Sequence, residues 1–91
     1  MIRMLVFYAP WCPKCHMMLP IVDELEKEFE YVYEITRIHI DEEKELAEAY
    51  NVEIVPTFVF EKECVEVGRM AGVIGETILR KRMHKLADEI K

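Results

Sequence analysis

The chain has 91 residues, 52% hydrophobic and 33% charged, with a formal net charge of −6 and a pI near 5.0. These values describe a globular chain able to bury one small core, and they exclude a disordered or fibrous protein. An acidic balance also argues against neutralising phosphates, so no nucleic-acid partner is expected.

The first segment, Met4 to Ala9, is a continuous apolar run of strand-forming residues that stops at Pro10, the pattern of a strand covered on both faces. It is too short for an export signal or a membrane span, so a cytoplasmic protein with no membrane partner is expected. Residues 9 to 16 then read APWCPKCH. From Pro13 to about Phe29, Met18, Val22, Leu25 and Phe29 recur at helical spacing while Asp23, Glu24, Glu26 and Glu28 fill the other positions, which predicts an amphipathic helix.

Tyr31 to Ile40 is rich in β-branched and aromatic residues and predicts a second strand. Asp41, Glu42 and Glu43 then place negative charge at the start of a short helix running through Tyr50, which Asn51 can end in the left-handed conformation. Thr57 to Phe60 and Cys64 to Met70 read as a hairpin joined by Glu61-Lys62-Glu63. Leu79, Met83, Leu86 and Ile90 mark a closing helix from about Gly75. No repeat or linker interrupts residues 1–91, so one domain is expected.

The element order is βαβαββα. A strand-helix-strand unit makes a right-handed parallel crossover, and the hairpin adds two strands, giving an α/β fold with a four-stranded mixed sheet flanked by three helices. This places APWCPKCH at the carboxyl end of the first strand, where open α/β sheets carry their chemistry.

C-x-x-C is the spacing of a reversible dithiol, and C-x-x-C-H is also the spacing of covalent haem attachment. Pro13 suits the first position inside a helix, which makes Cys12 the N-cap. A sulfur there faces free N–H groups and the positive end of the helix dipole, with Lys14 and His16 adding positive potential, so Cys12 is the expected nucleophile. Cys15, on the same face and one turn inside the helix, is the expected resolving thiol.

Each of these residues also fits an ordinary structural role. The cysteines could be buried hydrophobes or half a zinc site, but a four-cysteine site lacks its ligands because only Cys64 remains. Haem attachment needs export and a pocket for a large flat ring, and the apolar residues are already accounted for by the sheet. His16 is therefore expected to be a solvated residue that tunes charge. Met17 and Met18 point to different faces of the helix, Met18 toward the core. Trp11, flanked by Pro10 and Cys12, is expected in an exposed collar around the sulfur. Cys64, beside a turn, is expected to be a half-buried or exposed small residue, and Arg80-Lys81-Arg82 a solvated helix face.

With VFYAPWCPKC in place, the chain resembles the thioredoxin superfamily over nearly its whole length. Trp11 stands in the family's tryptophan position and Pro20 in that of its helix proline. Ile54-Val55-Pro56-Thr57 resembles the segment whose cis-proline faces the disulfide, and Ala71-Gly72 resembles the small residues after the last strand. The resemblance implies that Trp11, Val55, Pro56 and Gly72 bind substrate around catalytic Cys12 and Cys15. It implies no cofactor and no metal, disulfide-containing protein substrates, a separate reductase as electron donor and a monomer.

Two departures stand out. Val6 occupies the position where the family has a buried aspartate that assists the inner cysteine. The Pro-Lys pair between the cysteines is neither Gly-Pro nor Gly-His, and the leading proline and short length are similar to glutaredoxins, although their Gly-Gly plus acidic pair is missing. The function read from the sequence is a thiol-disulfide oxidoreductase acting on protein disulfides. The alternatives are a glutathione-dependent enzyme, or an iron-sulfur or metal carrier using Cys12 and Cys15.

Overall fold

In the computed structural model, which describes residues 1–89, the expected order is observed: β1 (Ile2–Tyr8), α1 (Pro13–Glu28), β2 (Tyr33–His39), α2 (Lys44–Ala49), β3 (Thr57–Lys62), β4 (Val65–Ala71) and α3 (Glu76–Glu89). Ile90, expected as the last apolar position of the closing helix, lies outside the described residues. The sheet order is β2-β1-β3-β4, with β1 parallel to β2 and antiparallel to β3, and β4 antiparallel to β3.

The apolar run of β1 is explained by its central place. Met4 and Val6, with Phe58 and Phe60 of β3, pack under Met18, Val22 and Leu25 of α1 and Leu79, Met83 and Leu86 of α3. On the other face, Leu5, Phe7 and Val59 pack with Ile38 against Ala47 and Leu46 of α2 and its C-cap Tyr50. Alternate residues of one strand therefore feed two separate cores, and neither face of β1 tolerates a polar side chain at its centre. The helix α1 continues through Pro20.

The hairpin differs from expectation. Glu61 and Lys62 belong to β3, and the turn is Glu63-Cys64, with φ of 52° and 66°. The cause is tertiary: Glu61 lies opposite Arg3 in the β1 register, and its carboxylate accepts from the Tyr50 hydroxyl at the end of α2. Arg3 Nη1 is 3.5 Å from the other carboxylate oxygen. Glu61 is thus buried, at 4% exposure, where its charge pattern marks a turn. The shortened two-residue turn takes the primed geometry that suits the twist of paired strands. Asn51 adopts the expected left-handed conformation, with φ of 55°.

Candidate redox site

The site is built at the carboxyl end of β1. After Tyr8 the chain turns, the Cys12 N–H donating to the Ala9 carbonyl at 3.2 Å. Cys12 is extended, with φ −95° and ψ 113°, and caps α1, while Pro13 occupies the first turn, where a missing N–H costs no bond. The Cys15 N–H donates to Cys12 Sγ at 3.3 Å, and the His16 N–H donates to the Cys12 carbonyl at 3.3 Å. Both sulfurs are free thiols and both residues are buried, with Cys12 at 5% exposure and Cys15 at 1%.

The two thiols have opposite acidity. Burial by itself would raise the Cys12 pKa, but the Cys15 thiol as donor, the Cys15 and Lys14 backbone N–H groups and the Lys14 ammonium outweigh it and hold Cys12 below an ordinary thiol. Burial, reinforced by the hydrogen bond to Cys12 and by its negative charge, pushes Cys15 up to about 11, with the Ala9 backbone offsetting only part of this. Cys12 is therefore the more acidic of the two thiols.

His16 is exposed on α1, as expected of a solvated residue. Its Nε2–H donates to the Pro10 carbonyl at 2.6 Å and braces the loop, and His16 is not among the groups that stabilise the Cys12 thiolate. Lys14 is, through both its backbone and its charge.

The second wall comes from the loop before β3. The Cys12 Sγ–H donates to the Val55 carbonyl at 3.6 Å, and the Val55-Pro56 bond is cis. The Gly72 N–H in turn donates to the Pro56 carbonyl at 2.9 Å. Gly72 has φ of +88°, and no atom lies within 4 Å of where a Cβ would sit, so glycine is required by backbone conformation and not by space. Ile54 and Val73, adjacent to these anchored residues, are exposed and apolar.

Trp11 is 65% exposed, and its Nε1–H donates to Asp41 Oδ2 at 2.7 Å. The Asp41 N–H donates to His39 Nδ1 at 3.2 Å, and the His39 ring meets Tyr8 edge-on with centroids 5.5 Å apart. Asp41, which thus ties the loop before Cys12 to the end of β2, is a residue that the charge pattern alone assigns to the helix start; α2 begins only at Lys44, with Glu43 as its cap. Its position just past the carboxyl end of β2 is the signal that could have found it.

Two concavities of about 710 and 500 Å³ lie beside α2 and at the opposite end of the sheet, and neither is lined by Cys12 or Cys15. Among the described residues, no group of three or more His, Cys, Asp or Glu is arranged to hold a metal ion.

The Thioredoxin family model matches residues 2–85. Thioredoxin 1 of Nostoc sp. is 30% identical over 79 residues, covering 87% of this chain and 74% of that protein. The thioredoxin of Chlamydia pneumoniae is 37% identical over 81 residues, covering 89% and 78% respectively. Among solved structures, the germline-specific thioredoxin Deadhead of Drosophila melanogaster superposes with a TM-score of 0.88 at 34% identity, over 93% of this chain and 80% of that one. Fasciola hepatica thioredoxin gives 0.86 at 36% identity, over 92% and 79%. A paired dithiol of split acidity on this fold, with these relatives, assigns the chain to the thioredoxin family as a thiol-disulfide oxidoreductase.

Proposed function

We propose that Cys12 is the attacking thiolate and Cys15 the resolving thiol of a reductant for protein disulfides. Cys12 attacks one sulfur of the substrate disulfide; the other leaves as a thiolate and takes up a proton. Cys15 then loses its proton and attacks Cys12 Sγ, releasing the second substrate thiol and closing the Cys12-Cys15 disulfide. Two electrons have passed to the substrate, and a separate reductase restores the dithiol. No bound cofactor is needed for either step. Lys14 favours the thiolate, while Trp11, Val55, Pro56 and Gly72 form the surface that receives the partner.

The observation that carries this reading is the Cys15 N–H donating to Cys12 Sγ at 3.3 Å on the cap of α1, with the second thiol behind it. No helix among the described residues is long and apolar enough to cross a membrane. The reading is completed by a cytoplasmic, monomeric protein formed as one domain. In an insulin-reduction assay, Cys12→Ser should abolish turnover. Cys15→Ser should accumulate stable mixed disulfides with partner proteins, identifiable by mass spectrometry. Recovery of glutathione adducts alone would transfer the reading to a glutathione-dependent enzyme.

A further inference from the structure

The backbone of the segment after β4 is fastened at two points. The Gly72 N–H donates to the Pro56 carbonyl at 2.9 Å, and the Ile74 N–H donates to the sulfur of Met18 at 3.4 Å. Met18 is on α1, one turn beyond Cys15, and is completely buried at 0% exposure. Between the two fastened residues, Val73 remains 47% exposed.

These bonds close a ring. Cys12 Sγ reaches the Val55 carbonyl, the next residue Pro56 reaches Gly72, Ile74 reaches Met18, and α1 leads from Met18 back to Cys15 and Cys12. A thioether is a weak acceptor, but here it takes up a half-buried backbone donor to which a hydrocarbon side chain would offer no acceptor. Leucine has nearly the volume of methionine and would fill the same core without accepting.

We infer that Met18 is a positioning residue: its sulfur holds the Gly72–Gly75 segment against α1 so that Val73 stands in the surface that receives a protein disulfide. Met18 thereby acts on the capture of large partners and not on sulfur chemistry, since it touches neither thiol. The inference rests on the proposed role of that surface in binding protein substrates.

The test compares Met18→Leu with Met4→Leu, the same substitution at another fully buried position of the same core. The substrates are insulin and a small aromatic disulfide. The expected result for Met18→Leu is a KM for insulin raised about three-fold, the scale of one lost weak hydrogen bond, with kcat, small-disulfide reduction and the pH profile of Cys12 alkylation unchanged. Met4→Leu should leave the insulin KM unaltered. An unchanged KM in Met18→Leu, or equal losses on both substrates or in both variants, would overturn the inference. In the unmodified protein the Ile74 amide should be protected from hydrogen exchange; rapid exchange there overturns it independently of any variant. If the unmodified protein fails to reduce insulin at all while reducing the small disulfide, it is the substrate reading itself that fails.

Discussion

Replacing Val6 by aspartate would place a carboxyl group at a fully buried point of β1. Val6 is 0% exposed, flanked in register by Arg37 of β2 and Phe58 of β3, and packed in the core beneath α1 and α3. Aspartate is close to valine in size, so little cavity results, and two costs remain. Losing the buried apolar surface costs about 1.5 to 2 kcal/mol. Holding the carboxyl protonated at neutral pH, against an unfolded pKa of about 3.9, costs a further 1.36 kcal/mol for each pH unit above it, up to the folded pKa.

The sign follows directly. A carboxyl whose folded pKa is raised loses nothing below pH 3.9 and loses progressively more as pH rises toward the folded value. Urea unfolding of the reduced protein should therefore show a deficit of about 2 kcal/mol near pH 4 and about 6 kcal/mol near pH 7, where holding the carboxyl protonated adds about 4 kcal/mol. Arg37 is the cation best placed to rescue the charge, but its guanidinium is already held by Asp23 at 2.5 Å and by Glu26 at 3.1 Å. Equal deficits at both pH values, or a smaller one at pH 7, would refute the reasoning by showing that the new carboxylate is ionised and paired.

Because Cys15 must give up a proton to act and burial, the largest cause of its raised pKa, persists in the mixed disulfide, substrate release should accelerate as pH rises above neutral in stopped-flow single turnovers. Attack by Cys12, whose pKa is lowered, should level off at lower pH, and a common profile for both steps would contradict the split. Lys14→Gln should shift the attack profile to higher pH, since one exposed charge that favours the thiolate is lost. Glu63→Asn with Cys64→Gly, which suits the left-handed turn, should stabilise the protein by about 1 kcal/mol. The same variant should keep turnover within about three-fold of the parent in the insulin assay, because Cys64 is exposed at the hairpin tip.

The parts of this architecture that follow from local chemistry are visible in the chain itself. The β1 run is uniformly apolar because it feeds two cores, α1 and α3 keep their helical period because each buries one stripe, and Pro13 marks Cys12 as a cap. What the pattern hides are polar groups whose meaning is set by distant partners. Glu61 looks like turn chemistry until Tyr50 and Arg3 reach it across the sheet. Asp41 looks like helix-start charge, although Trp11, thirty residues earlier, donates to it. Met18 reads as filling, and only the fold brings the Ile74 N–H to its sulfur.

The account turns on a single asymmetry, that of two thiols three residues apart on one helix. Alkylation of the reduced protein with iodoacetamide across pH 4 to 11, read at each cysteine by mass spectrometry, measures it directly. The account predicts that Cys12 is modified first, with a midpoint below the ordinary thiol value of about 8.5, and that Cys15 stays protected until the pH nears 11. Faster labelling of Cys15, or two thiols titrating together near the ordinary value, would contradict it.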